Sequence, residues 1–185
     1  MKKILVTRKL LKPSEDYASK IFDVKLNKED KLITKEELIS MSNDCDGILS
    51  SLTEKFDSDI ISKLSKSIKI ISNFAVGFGN IDIEAAKKKN IVVTNTPDVL
   101  TDATAEIAML ILLGAARRAK EGMELVSKKN WKWSVDFLMG KQLTGSRLGI
   151  LGMGRIGRAV ANRARSFGMK IHYFNRSRLE KNLEK

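Results

Sequence analysis

Short runs of Ile, Leu and Val alternate with segments whose apolar positions recur at helical spacing through the first half of the chain. "KKILVT", "DVKLN", "DGILS", "IKIISNFA" and "IVVTN" read as strands. Between them, "SEDYASKIF", "TKEELISM", "DSDIISKLS" and "DIEAAKKKN" read as helices. Ser14 is the expected N-cap of the first. Thr34 with Glu37 three residues on is a capping box for the second. Apolar strands separated by helices predict a parallel sheet covered on both faces. Through Thr96 the rhythm is that of one complete α/β unit, flavodoxin-like in order.

Pro97 punctuates the pattern. "TDATAEIAMLILLGAARRAKEGMELVSKKNW" then predicts one long helix, capped by Thr101, with Ile107, Leu110, Ile111 and Leu113 on a face suited to burial. Gly140 and Gly145 mark turns in the irregular stretch that follows. A second α/β unit starts at Arg147, and the stretch after Arg178 reads as the opening of another helix. The fold class is therefore α/β: one flavodoxin-like unit, then a linking helix and the start of a second α/β unit.

Gly152, Gly154 and Gly157 form G-x-G-x-x-G, placed directly after the strand "RLGIL" and opening the helix "RIGRAVANRARSF". That context is what makes the motif informative. Gly152 permits a tight turn, Gly154 lets a pyrophosphate approach the backbone, and Gly157 lets helix and strand pack closely. The amides of Arg155 and Ile156 join them at the helix start, where unpaired N–H groups face an anion. A packing turn with no ligand is the alternative. The second strand ends about 20 residues on, where an NAD site places an acidic residue against the ribose. Here stand Asn175, Arg176 and Ser177. A neutral Asn175 does not repel a 2′-phosphate, and Arg176 and Arg178 with the Ser177 hydroxyl suit one. This predicts NADP(H) in preference to NAD(H), with NAD(H) still possible through Asn175 and a ribose hydroxyl.

Composition narrows the picture. Hydrophobic content of 43% with 6% aromatics suits a soluble globular protein, and no apolar run approaches the ~18 residues of a membrane helix. The N-terminal apolar run is too short for a secretory segment. The single cysteine, Cys45, points to a reducing cytoplasm. The net charge of +12 comes from scattered Lys and Arg without interleaved aromatics, which argues against a nucleic-acid partner. Cys45 and His172 have no partners at metal-ligand spacing, so no metal site is expected. His172, the only histidine, lies on a strand and is assigned a structural role.

Two stretches together resemble a known family. "NFAVGFGNIDIEAAKKKNIVVTNTPDVLTDATAEIAMLILLGAARR" and "LTGSRLGILGMGRIGRAVANRARSFGMKIHYFNRSR" are similar to the D-isomer-specific 2-hydroxyacid dehydrogenases, and "TNTPDVLTDATAE" most resembles the glyoxylate/hydroxypyruvate reductase branch. The resemblance implies a flavodoxin-like substrate domain over residues 1–98 joined to a linking helix and an incomplete Rossmann domain over 99–185, with substrate between them. It implies reduction of a small 2-keto acid to the 2-hydroxy acid and a homodimeric parent. It places the substrate carboxylate on the amides of Val76 and Gly77; the glycines of "AVGFG" suit an anion-cradling turn, a plain strand-to-helix loop being the alternative. Leu52 matches a substrate position, or is a core leucine. Thr104 matches a position near the nicotinamide, or caps and packs its helix. The family's catalytic Arg, Glu and His are expected beyond Lys185, so no catalytic residue is assigned and the chain is expected to be an inactive N-terminal fragment. The other readings are phosphoglycerate, lactate or formate dehydrogenation, and a nucleotide-sensing corepressor-like binding protein.

Overall fold

The structure is a computed structural model that describes residues 1–129 and 131–184. The chain divides into two compact units, Met1–Pro97 and Asp98–Lys185.

The first unit is a five-stranded parallel sheet in the order β2-β1-β3-β4-β5, formed by β1 (Lys3–Val6), β2 (Asp23–Leu26), β3 (Gly47–Ser50), β4 (Ile70–Asn73) and β5 (Val92–Thr94). Helices α1 (Lys12–Ile21), α2 (Lys35–Ser42), α3 (Ser58–Lys63) and α4 (Ile83–Lys88) connect the strands. The order reverses between β1 and β3, and ligands of open α/β sheets sit beyond the carboxyl ends of strands at such a point. Leu5, Ile48, Ile71, Phe56, Ile60 and Ile61 are buried in one core, as strands covered on both faces require. The Thr34–Glu37 capping box is formed in both directions. Asp57 and Asp82 cap α3 and α4 through the amides of Ile60 and Ala85.

The expected Ser14 cap is not used. Helix α1 starts three residues earlier, with Leu11 at its N-cap. Pro13 in the first turn supplies a preset φ and has no N–H to satisfy, and the Glu15 carboxylate accepts the Leu10 N–H at 2.9 Å.

In the second unit β6 (Arg147–Leu151) and β7 (Lys170–Phe174) pair in parallel, with α5 (Thr101–Ala116), α6 (Ala119–Ser127) and α7 (Arg155–Ser166). Met109, Leu143, Ala164 and Met169 are the buried core, joined by Leu112, Leu113, Leu148, Val160 and Ile171. Helix α5 faces α7, and Arg163 pairs with Asp102 at 2.9 Å across them.

The single long helix is two helices. Arg118 takes a left-handed φ of 53°, and the Lys141 N–H donates to Ala116 O at 2.7 Å. The returning chain comes so near that a Cβ on Gly140 would lie 2.5 Å from that oxygen. The last carbonyl of α5 is thus satisfied from outside the helix, and the helix stops. Thr101 does not cap α5; Leu100 holds the N-cap without a side-chain bond. The buried face of α5 is Ala105 and Met109, whereas Ile107, Leu110 and Ile111 are exposed. Past Arg178 there is a single 3-10 turn at Lys181–Leu183 rather than an α-helix.

Candidate functional site

Apart from Thr104 on α5, each unit places its predicted residues at the carboxyl ends of its strands. In the first unit, the turn after β3 carries Leu52 and the loop after β4 carries Val76 and Gly77. Leu52 is 63% exposed, which removes the core alternative. Its turn is fixed by Glu54, a carboxylate only 4% exposed. Glu54 accepts from the Thr7 hydroxyl at 2.7 Å, the Ser51 N–H at 3.0 Å and the Thr53 hydroxyl at 2.6 Å. A buried carboxylate surrounded by donors is stable where an isolated one is not. Arg8, after β1, donates to Thr53 at 3.2 Å and grips Asp30 with two nitrogens. The Arg8 guanidinium holds the Asp30 carboxyl well below the usual carboxylate range.

The loop after β4 departs from expectation in one respect. Gly77 and Gly79 do not take left-handed φ values, and a Cβ at either would meet nothing within 4 Å. Their conformation does not require glycine; what the missing side chains leave is open space in front of the backbone. The N–H groups of Val76 and Gly77 have no acceptor among the described residues, while the carbonyl oxygens of both are held by Asn95 and Asn73. Sequence reasoning passed over Asn73, Asn80, Asn95 and Glu54. Its available signal was the polar pair closing the apolar run in "IISN" and "VVTN".

In the second unit, the glycine turn joins β6 to α7. Gly152 has a φ of 98°, and a Cβ on Gly157 would lie 2.2 Å from Gly152 O, so both positions demand glycine. Gly154 is the N-cap of α7 and faces open space. The first bond into the helix is Arg158 N–H to Gly154 O at 2.9 Å. The amides of Arg155, Ile156 and Gly157 are therefore free of intrahelical partners.

Two amides of the turn are already engaged. Gly152 N–H donates to Phe174 O at 2.9 Å, and Met153 N–H to Asn175 Oδ1 at 2.7 Å. The donors left for an anion are thus narrower than the whole 152–157 segment. Among the described residues, Asn175 keeps its Nδ2 free as a donor for a ligand. Arg155 pairs through its side chain with Asp98 at 2.7 Å. Arg176 and Ser177 are exposed and unpaired among the described residues. Arg178 is engaged, with bonds of 2.9 Å from Nε and from Nη2 to the two Glu184 carboxylate oxygens. Arg178 and the Tyr173 hydroxyl pull the Glu184 carboxyl down to about 2. An open hollow of about 960 Å³ flanks α7, lined by Arg155, Arg158, Arg165 and Arg178. Neither Gly154, Asn175 nor Arg176 lines it, so it stands beside the predicted dinucleotide position.

Thr104 is exposed in the first turn of α5 and its hydroxyl has no partner among the described residues; its N–H goes to Leu100 O at 2.9 Å. His172 lies opposite Gly149 on the outer face of the β6–β7 pair. Leu151, 85% exposed, and Phe174, 67% exposed, share that face. Among the described residues no group of three His, Cys, Asp or Glu is placed to hold a metal ion, and no helix is long and apolar enough to cross a membrane.

Residues 4–175 match the family model described as D-isomer specific 2-hydroxyacid dehydrogenase, catalytic domain. The chain is 40% identical over 181 residues to a glyoxylate reductase of Thermococcus kodakarensis, covering 95% of this chain and 54% of that protein. It is 42% identical over 178 residues to a glycerate dehydrogenase of Hyphomicrobium methylovorum, covering 96% and 55%. The crystal structure of a D-isomer specific 2-hydroxyacid dehydrogenase, NAD-binding, from Polaromonas sp. JS6 66 superposes with a TM-score of 0.89 at 42% identity, covering all of this chain and 58% of that one. The chain spans about half the length of the curated relatives it matches.

Proposed function

The chain belongs to the D-isomer specific 2-hydroxyacid dehydrogenase family, and from that premise we propose that it forms the substrate-binding unit and the opening of the nucleotide-binding unit of an enzyme that reduces glyoxylate or hydroxypyruvate to the 2-hydroxy acid. The observation that carries this reading is the turn at 152–157, which follows a strand, opens α7 with unpaired amides and has open space at Gly154. Those features fit a dinucleotide diphosphate. A nicotinamide cofactor bound there supplies the hydride for the keto carbon.

The chain's own residues bind and orient. The amides of Arg155, Ile156 and Gly157 hold the diphosphate, with Gly152 and Gly154 shaping the approach. Asn175 Nδ2 donates to the adenosine ribose. Arg176, with the Ser177 hydroxyl, receives a 2′-phosphate, and on that ground NADP(H) is preferred over NAD(H). Thr104 borders the nicotinamide end. Val76 and Gly77 donate to the substrate carboxylate, and Leu52 lines the substrate's other side. No catalytic Arg, Glu and His set is assigned to this chain, and by itself it is expected to be inactive. Hydroxypyruvate reduction yields glycerate, so the glycerate dehydrogenase likeness falls within the same chemistry.

A second copy is placed against the exposed stripe of Ile107, Leu110 and Ile111 on α5, an apolar patch of the kind that marks association. Sedimentation of the full-length parent at rising concentration tests this; an unchanging monomer removes it. Cys45, buried and unpaired, suits a reducing cytoplasm.

Fluorescence titration of the chain with NADPH and with NADH tests the cofactor reading. NADPH is expected to bind more tightly, and Arg176→Ala to abolish the difference. Equal binding of both by the unaltered chain removes the preference, and no binding of either removes the cofactor site.

A further inference from the structure

In a trans peptide the C=O and the following N–H point in opposite directions, and no described peptide bond is cis. A donor that grips a carbonyl therefore aims the next residue's N–H away from itself. Three consecutive carbonyls of the loop after β4 are gripped in this way. Ala75 O accepts from Thr96 N–H at 2.9 Å. Val76 O accepts from Asn95 Nδ2 at 2.8 Å, and Gly77 O from Asn73 Nδ2 at 2.9 Å. The N–H groups thereby turned away belong to Val76, Gly77 and Phe78. None of these has an acceptor among the described residues.

The first grip is a backbone bond from the chain just beyond β5. The other two come from side chains, and the amide of Asn73 is locked. Asn73 is fully buried. Its Oδ1 accepts from the Ser50 hydroxyl at 3.1 Å, while its Nδ2 also lies 3.2 Å from Asn80 Oδ1. Asn80 in turn donates to Ser51 O at 3.0 Å and Glu54 O at 2.9 Å. Rotating the Asn73 amide by half a turn would set its oxygen against Gly77 O, leaving a buried acceptor without a donor. The same network thus fixes both the Leu52 turn and the 76–79 loop.

We propose that Asn73 and Asn95 are positioning residues for the carboxylate of a 2-keto acid: by gripping the carbonyls of Gly77 and Val76 they turn the N–H groups of Phe78 and Gly77 outward, and the cradle has three donors, Val76, Gly77 and Phe78. This rests on the reading of that loop as the carboxylate site. It also accounts for glycines that their own conformation does not require. With the backbone held by neighbours, their absent side chains serve only to leave the approach clear.

The test is amide-resolved NMR of the ¹⁵N-labelled chain titrated with sodium glyoxylate, against sodium chloride at matched ionic strength. The amides of Val76, Gly77 and Phe78 are expected to shift together and saturably with glyoxylate alone. Asn95→Leu, which removes the donor without adding charge, is expected to weaken that response roughly tenfold, with the Gly77 signal most altered and the dispersion of the remaining signals kept. Should Asn95→Leu not fold, Asn95→Ser, too short to reach Val76 O, carries the same comparison. Saturable binding of undiminished strength in the variants overturns the positioning role while leaving the carboxylate site standing. Silence of Val76 and Gly77 in the unaltered chain overturns the site and the positioning role together. A response of those two without Phe78 removes the third donor.

Discussion

Two loops of this molecule hold backbone amides out to solvent, and they do so by opposite means. At 152–157 the conformation itself demands glycine: a φ of 98° at Gly152, and no room for a Cβ at Gly157. The amides there are free because a helix begins, as the first amides of any helix are. At 76–79 no helix begins, the glycines are unstrained, and the preceding carbonyls are gripped from neighbouring segments, those of Val76 and Gly77 by asparagine side chains. Donors for an anion can thus be prepared by local backbone geometry or by a polar network reaching from neighbouring strands. The first leaves a motif in the sequence. The second leaves scattered asparagines.

The contrast can be broken most severely at Gly157. Gly157→Ala forces a methyl against Gly152 O and is expected to destabilise the chain by about 3 kcal/mol, at the upper end for overpacking, with cofactor binding lost; urea unfolding and NADPH titration read both effects. Gly152→Ala meets no neighbour but adopts a disfavoured φ, and about 1–2 kcal/mol of destabilisation is expected by the same unfolding measurement. Gly77→Ala sharpens the comparison. It is expected to leave stability within about 0.5 kcal/mol while weakening the glyoxylate response; a loss of stability like that of Gly152→Ala would show that the two loops are built alike after all.

The smallest effect concerns the end of the nucleotide unit, where Glu184 occupies Arg178. Its carboxyl is lowered to about 2, so the charged clasp is fully formed above the ordinary glutamate value of about 4.3 and is lost as pH falls through about 2. The ring carbon bearing the Tyr173 hydroxyl should report that transition by NMR near pH 2, and a midpoint near 4 would mean the clasp is not formed.

Much of this architecture was legible from side-chain pattern. Buried parallel strands must be apolar throughout, so "KILV", "GILS" and "IISN" announced themselves, and the glycine motif carried its own steric logic. The break between α5 and α6 was not legible. It depends on the Lys141 amide reaching Ala116 O, a contact across residues far apart in sequence. What covers Ile107, Leu110 and Ile111, exposed in this chain, was not legible for a related reason: helical spacing identifies an apolar face but not its partner. Leu52 and Thr104 were ambiguous because burial depends on the partner surface. Asn73 and Asn95 were overlooked because an asparagine at a strand end has the same appearance whether it faces water or holds a peptide plane.

All five strands of the first unit come from an uninterrupted stretch ending before Pro97. A ribosome adds about 5–20 residues per second, so the nascent chain spends several seconds extending past this point before α7 is made. The sheet needs nothing from the later residues to complete its ladders. Its asparagine-held loop is therefore expected to be set during synthesis, as a folded platform trailing an unfinished nucleotide unit. Arrested nascent chains ending soon after Pro97 clears the exit tunnel should already resist protease.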